Sequence, residues 1–444
     1  MDHRRAGRGA EPRQLVESLR RPGAGRPGGT CGRAQHRHPR GSRAPAQARA
    51  LVRSAQADRL PQVGIGGGAN RQAGANTANG ATPATLLNAG ASFAYEIDLS
   101  GRLARSRDAA ALDAQEREAL LQSTRLLVQA ETAQTYLALR ASDSELALVQ
   151  ETVAAYANTL RLTQRRHQAG DIAELDVVRV QTELAATEAD ALAQQRRRAQ
   201  LEHALALLTG DAASNFTLAP QAWTTVLPAI PPGIPGTVLA RRPDVAAAQS
   251  GLLAAQARLG VARTAWFPSV SLTANGGFAS PELGDLFKWS ARAWGVGALL
   301  SLPIFDGGKR EAGVQNAQAR LDEAMAAYRG QVLGAFRDVE DQLSSLRLLH
   351  EQAQAQARAV ESARRATTLS DTRYRNGLVS QLELLDARRS ELFNRRQALQ
   401  VRALQYQATV GLVRALGGGW DKAGNADATT PPKTQLASGA AISN

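Results

Sequence analysis

Aromatic side chains are scarce in this chain: Phe, Trp and Tyr together make up 4% of 444 residues, although 43% are hydrophobic. Any core must be assembled from Ala, Leu and Val, a composition that suits long, closely packed helices better than a compact enzyme with a bulky interior. Cysteine occurs once, at Cys31, which excludes an internal disulfide. No apolar run approaches the ~20 residues of a membrane-spanning helix. No charged, apolar and small-residue succession of the secretory kind is visible either. Taken alone, these two absences point to the cytosol. Catalytic constellations are missing as well. His167, His203 and His350 stand singly on helical segments, and the glycines at Gly64, Gly66, Gly67 and Gly68 belong to a strand with no helix behind it. No enzyme, no metal site and no cofactor is expected.

The charge that is present is unevenly placed. Of a formal net +13, residues 1–50 supply +9, from 12 Arg against 3 Asp or Glu. That stretch also holds 8 Gly and 5 Pro and has no apolar period. Residues 1–47 are expected to be an aberrant or disordered basic segment, of the kind that GC-rich DNA yields when read in the wrong frame. No aromatic residue is interleaved there to stack on bases, so no nucleic acid is expected as a partner.

Slid against itself, the chain matches at one displacement of 207 residues. Leu60-Pro61-Gln62-Val63 falls on Phe267-Pro268-Ser269-Val270, Gly101 on Gly308, Arg166 on Arg373, Gly170 on Gly377, and Asp176 on Glu383. The chain is therefore a tandem duplication. Repeat 1 is expected over 48–209, with strands at about 60–70 and 91–100 and long helices over 102–169 and 172–209. A connector follows over 210–235. Repeat 2 is expected over 236–417, with strands at about 267–278 and 294–305 and helices over 309–376 and 379–416, and a disordered tail over 418–444.

The strands alternate large apolar residues with small or polar ones, as in Phe93-Ala94-Tyr95-Glu96-Ile97 and again from Trp294 through Val296, Ala298, Leu300 and Leu302 to Ile304. Segments of about ten alternating residues are what a transmembrane barrel strand requires. Four strands cannot close a barrel, and open edges are not tolerated in lipid, so several copies must share one. Strand counting permits a dimer or a trimer. After Gly101 and after Gly308, roughly 68 residues run without a proline, a helix of about 100 Å. Val332, Phe336, Val339, Leu343 and Leu346 step by 4, 3, 4, 3 along it, the spacing of coiled-coil seams. Gly170 and Gly377 stand where a helix end needs a left-handed residue, so each repeat folds into a helical hairpin.

These residues carry a resemblance. The chain is similar, over about residues 48–417, to the TolC-like outer-membrane factors, and looks closest to NodT-type efflux lipoproteins. RRPDV at 241–245, WFPSVSL at 266–272, LPIFDGG at 302–308 and YRNGLVSQLELLDARRS at 374–390 are its strongest parts. The resemblance implies a mainly α fold with transmembrane β: a homotrimer whose 12 strands form one barrel in the outer membrane, in contact with its lipid, continuous with an α-helical barrel in the periplasm. It implies a passive exit conduit for drugs or other small molecules, working with a periplasmic adaptor and an inner-membrane transporter of the resistance-nodulation-division class. An outer-membrane factor for type I protein secretion is the alternative, and a soluble coiled-coil scaffold a more distant one.

The resemblance also assigns residues. Glu383 and Asp386 match acidic positions that close the periplasmic end, Tyr374 matches a tyrosine that holds the closed state, and Asp176 is the first-repeat counterpart of Glu383. Where the best-known member has an arginine to partner that tyrosine, this chain has Val379. Arg166, Gly170, Arg373 and Gly377 fall at the hairpin tips that meet the adaptor. Members of this branch carry a lipid-bearing cysteine after an apolar stretch. Cys31, in Gly29-Thr30-Cys31-Gly32, has no such stretch, so the native start is expected to carry the lipidation motif instead.

Overall fold

Left-handed glycines and carboxylate caps mark where the elements begin and end. The computed structural model describes residues 39–73, 83–223 and 241–418. Its principal elements are α1 (Pro39–Ala57), β1 (Gln62–Gln72), β2 (Ala84–Ile97), α2 (Arg102–Gln168), α3 (Glu174–Thr209), α4 (Pro243–Arg263), β3 (Ser269–Ser280), β4 (Arg292–Ser301), α5 (Lys309–Arg375) and α6 (Gln381–Ala415). Helices α2 and α5 are 67 residues each and start 207 residues apart. At 1.5 Å per residue, each is about 100 Å long.

Both long helices start on a glycine with positive φ, Gly101 at 73° and Gly308 at 89°. A carboxylate satisfies the orphan amides just beyond. Asp98 accepts from the Leu103 and Ala104 amides at 3.1 and 2.8 Å, and Asp306 from the Gly308 and Arg310 amides at 3.1 Å each. The side chain of Arg310, donating to Asp306 at 2.7 Å, holds that carboxyl below its usual range.

The sheet has the order β1-β2-β3-β4, antiparallel throughout, with β1 and β4 as unpaired edges among the described residues. The register sorts its faces. Ile65 pairs with Ala91, Ala91 with Gly276, and Gly276 with Trp294, so these share a face with Val63, Phe93, Leu272, Val296 and Leu300. The other face carries Gly64, Ser92, Asn275 and Gly295 in one row, with Gly66, Gly68, Asn88, Thr273 and Gly297 around it. Leu86 and Leu299 are its apolar exceptions. One face is greasy and exposed, Ile65 at 92% and Val296 at 76%. The opposite face is small, polar and uncharged along its middle.

The glycines of the polar face make room for neighbours. A Cβ on Gly68 would lie 2.9 Å from the Asn88 side chain, and one on Gly295 would lie 3.0 Å from that of Asn275. Polar side chains of the inner strands therefore lean over bare backbone on the outer ones. Gly90 and Gly277 face each other across β2 and β3, and a Cβ on either would strike the partner strand's backbone.

Two layers of helix hang from this sheet. Near it, α1 packs on α2, and α4 lies between α2 and α5; farther down, the order across the wall is α3, α2, α6, α5. Arg242, in the RRPDV stretch, ties the layers together. It donates to Asp244 at 2.7 Å, to Asp338 at 3.2 Å and to the Ala415 carbonyl at 3.2 Å, capping the end of α6. Asp143 does the same for the connector. Buried against Arg140 and Arg198 at 2.8 and 2.7 Å, it accepts from the Gln221 amide at 3.3 Å, pinning residues expected to be irregular onto α2 and α3.

Several boundaries differ from expectation. Helix α1 starts at Pro39, inside the segment expected to be aberrant, because Pro45 and Ala48 are buried, the helix packing on α2. Strand β2 starts at Ala84, seven residues before the expected strand, where Leu86 and Leu87 break the alternation that would reveal it. Strand β4 stops at Ser301: Pro303 has no amide for the ladder, and Ile304 stands 93% exposed beyond it. The expectations for Cys31, for residues 1–38 and for the tail beyond 418 lie outside the described residues, as does most of the latter half of the connector.

Candidate gate and hairpin tips

The two hairpin turns are built alike. In the first, the Asp171 amide donates to the Arg166 carbonyl and the Gly170 amide to the His167 carbonyl, both at 2.9 Å, with Gly170 at φ 82°. In the second, Leu378 donates to Arg373 at 2.9 Å and Gly377 to Tyr374 at 3.0 Å, with Gly377 at φ 72°. Both are Schellman closures, and each requires glycine because a Cβ is disfavoured at such φ. Arg165, Arg166 and His167 crowd the last turn of α2, and Arg373 and Arg375 that of α5, where cations suit the helix dipole.

Tyr374 finds its partner in the other hairpin. Arg166 Nη1 donates to its hydroxyl at 3.3 Å and lies over its ring at 5.8 Å. Glu383 pairs with Arg373 across its own turn at 3.6 Å, and Asp386 with Arg389 one helical turn on at 3.5 Å. Both acids are about half exposed. Asp176 pairs with Arg179 on its own helix at 3.7 Å, not with the second hairpin.

Below these exposed pairs lies a tighter set. Arg389 Nε donates to Glu183 of α3 at 2.7 Å, an ion pair that joins the two hairpins. That hydrogen bond holds the Arg389 guanidinium still more firmly protonated. Arg388 donates to Thr159 at 2.7 Å and pairs with Asp371 at 3.3 Å, and Gln381 donates to the buried Thr163 at 2.9 Å. Tyr156, Val180 and Leu385 form the apolar core beneath. Burial first, and Glu183 second, push the Tyr156 hydroxyl above its ordinary range. No local motif marks these partners, since Glu183 and Arg389 stand 206 residues apart.

Among the described residues, no group of three His, Cys, Asp or Glu is placed to hold a metal ion, and no helix is long and apolar enough to cross a membrane. What the arrangement provides is a charged, hydrogen-bonded junction between two helical hairpins, a rod's length from a sheet with one apolar and one polar face.

Comparison with known proteins gives this architecture its family. The family model described as outer membrane efflux protein matches residues 44–211 and 234–418. Outer membrane protein OprJ of Pseudomonas aeruginosa is 35% identical over 381 residues, 84% of this chain and 80% of that one. Toluene efflux pump outer membrane protein TtgC of Pseudomonas putida is 34% identical over 379 residues, 84% of this chain and 78% of that one. Among solved structures, the outer-membrane channel OprN is 31% identical with a TM-score of 0.83, over 88% of this chain and 90% of that one. With four strands and two 67-residue helices in the matching arrangement, the chain belongs to the TolC-like outer membrane efflux protein family, and is an outer-membrane channel component of an efflux pump rather than an enzyme.

Proposed function

We propose that three copies of the chain close one 12-stranded barrel and form a continuous exit duct, driven from outside by a periplasmic adaptor and an inner-membrane transporter of the resistance-nodulation-division class. The observation that carries this reading is the sheet: two free edges, a greasy face of Val63, Ile65, Trp294 and Val296, and a polar face with no charge along its middle. A sheet with free edges cannot stand in lipid, and joining β1 of one copy to β4 of the next removes every edge. The greasy face then meets lipid and the small polar face lines the bore. The helices extend on the periplasmic side.

The duct narrows at the hairpin ends. Around a threefold axis, Glu383 and Asp386, one helical turn apart, form two stacked rings of carboxylates, with Asp176 and Tyr374 beside them. Such rings favour cations at a constriction. Arg166, Gly170, Arg373 and Gly377 present the tips to the adaptor. Cargo is of the kind named for the relatives, antibiotics and solvents such as toluene. A bore walled by Gly, Ser, Asn and Thr imposes no charge selection of its own, in keeping with varied cargo.

Planar-bilayer recording tests this. The wild type is expected to open a narrow, voltage-stable, cation-preferring pore, and Glu383→Ala with Asp386→Ala to conduct more and lose the preference. A wild type that opens no pore, or a double variant with unchanged selectivity, contradicts it.

A further inference from the structure

One hollow interrupts the greasy face of the sheet. It has a volume of about 580 Å³, and Ile65, Ala89, Ala91, Gly276, Phe278 and Phe287 are among its lining residues. Register puts Ile65, Ala91 and Gly276 in one row and Ala89 and Phe278 in the next, on the same side as Trp294 and Val296. The hollow therefore opens toward lipid, not toward the bore. Its floor is Ala and Gly; one wall is Ile65, and the other is Phe278 with Phe287 edge-on to it at 5.8 Å.

The floor is not a by-product of strand packing. A Cβ on Gly277 would strike the neighbouring strand, so that glycine is required by the fold, but a Cβ on Gly276 would meet nothing within 4 Å. Side chains are tolerated there, and the space is empty of them. The hollow sits toward the loop end of the strands, where cations gather. Arg292, paired in register with Phe278, lies over the Trp289 ring at 4.8 Å; Lys288 is exposed and ion-paired with Asp285; and Arg71 lies on the same face of β1 as Ile65, six residues nearer the loop.

We propose that this hollow seats one acyl chain of a phosphorylated outer-leaflet lipid of the lipid A type, with Arg71 and Arg292 meeting its phosphates. An apolar cradle below a cationic rim matches a molecule with fatty chains and an anionic head. The assignment rests on the channel reading above, which puts the loop end of the strands at the outer leaflet. A single-chain or neutral lipid satisfies only half of the site. The seat lies within one protomer's own strands, so each copy carries one.

Native mass spectrometry of the full-length protein, titrated in detergent with bis-phosphorylated lipid A, tests the seat. One lipid A per protomer is expected. Gly276→Leu, or Ala91→Phe filling the space from the next strand, is expected to weaken binding at least tenfold, and so is Arg71→Ala with Arg292→Ala. Equal binding by wild type and the filled variants overturns the proposal, as does equal binding of lipid A and a neutral phosphatidylcholine. Conductance of the same samples separates the two readings. A wild type that opens no pore sinks the channel reading and the seat with it; pores that conduct normally without the tenfold difference sink the seat alone.

Discussion

Arg166 of the first hairpin and Tyr374 of the second are joined twice, by a hydrogen bond of 3.3 Å to the phenolic oxygen and by the guanidinium lying over the ring at 5.8 Å. The contact links the last turn of α2 to the last turn of α5, so it must break for the hairpin ends to separate. Tyr374→Phe removes the hydrogen bond and keeps the ring; Arg166→Ala removes both. A partly buried hydrogen bond is worth about 1 kcal/mol. Single-channel recording should therefore show at least a twofold rise in mean conductance for Tyr374→Phe and a larger one for Arg166→Ala, with little loss of thermal stability.

The Tyr156 hydroxyl is buried with no hydrogen-bond partner among the described residues, and burial together with Glu183 raises its pKa above 10.0. An acid whose folded pKa is raised contributes stability that is complete below its unfolded value and is lost as pH climbs through the folded one. Wild type should accordingly weaken above pH 10. Tyr156→Phe leaves the packing with Val180 and Leu385 and removes an unsatisfied polar atom, so stability at pH 8 should hold or rise by about 1 kcal/mol. Thermal unfolding followed by circular dichroism at one protein concentration should show the alkaline fall reduced.

Much of this was legible beforehand, and the reasons for the remainder are physical. Gly101, Gly170, Gly308 and Gly377 all hold positive φ at the helix ends they were expected to mark. Alternation through Trp294, Val296 and Leu300 identifies a strand because one face of the sheet is apolar and the other small and polar. It failed at Ile304, since alternation says nothing about where hydrogen bonding stops, and Pro303 stops it. The Arg389–Glu183 link was invisible because arginine is abundant on every helix and only folding selects which one meets which acid. The pairing of Arg166 with Tyr374 was hidden for the same reason: its two members are local to different repeats.

Gly276 and Gly277 are adjacent on β3 yet differ in what they tolerate. A Cβ on Gly277 would collide with the backbone of Ala89 and Gly90, whereas one on Gly276 meets open space. Gly277→Ala should therefore block barrel assembly, and Gly276→Ala should assemble normally. The yield of folded oligomer in the outer-membrane fraction, read on unheated against heated gels, checks both.

Arg242 is nearly buried and holds Asp244, Asp338 and the Ala415 carbonyl together. Burial by itself pushes the Asp244 carboxyl up, but the Arg242 hydrogen bond and charge outweigh it and leave the pKa below 3.8. A lowered carboxyl gives stability that is present above its unfolded pKa and disappears as pH falls through the folded one. Arg242→Ala takes the cation from Asp244, while Asp338 keeps Arg337, and should cost about 2 kcal/mol at pH 7. Asp244→Asn should flatten the loss of stability that wild type shows below pH 4. Melts at pH 7 and across pH 2–5 measure the two effects.

The central claim is that one chain supplies a third of a barrel. Native mass spectrometry of the protein extracted from the outer membrane tests it most directly. The account predicts a species of three protomer masses that survives removal of the detergent; a monomer or dimer as the only folded species would contradict it.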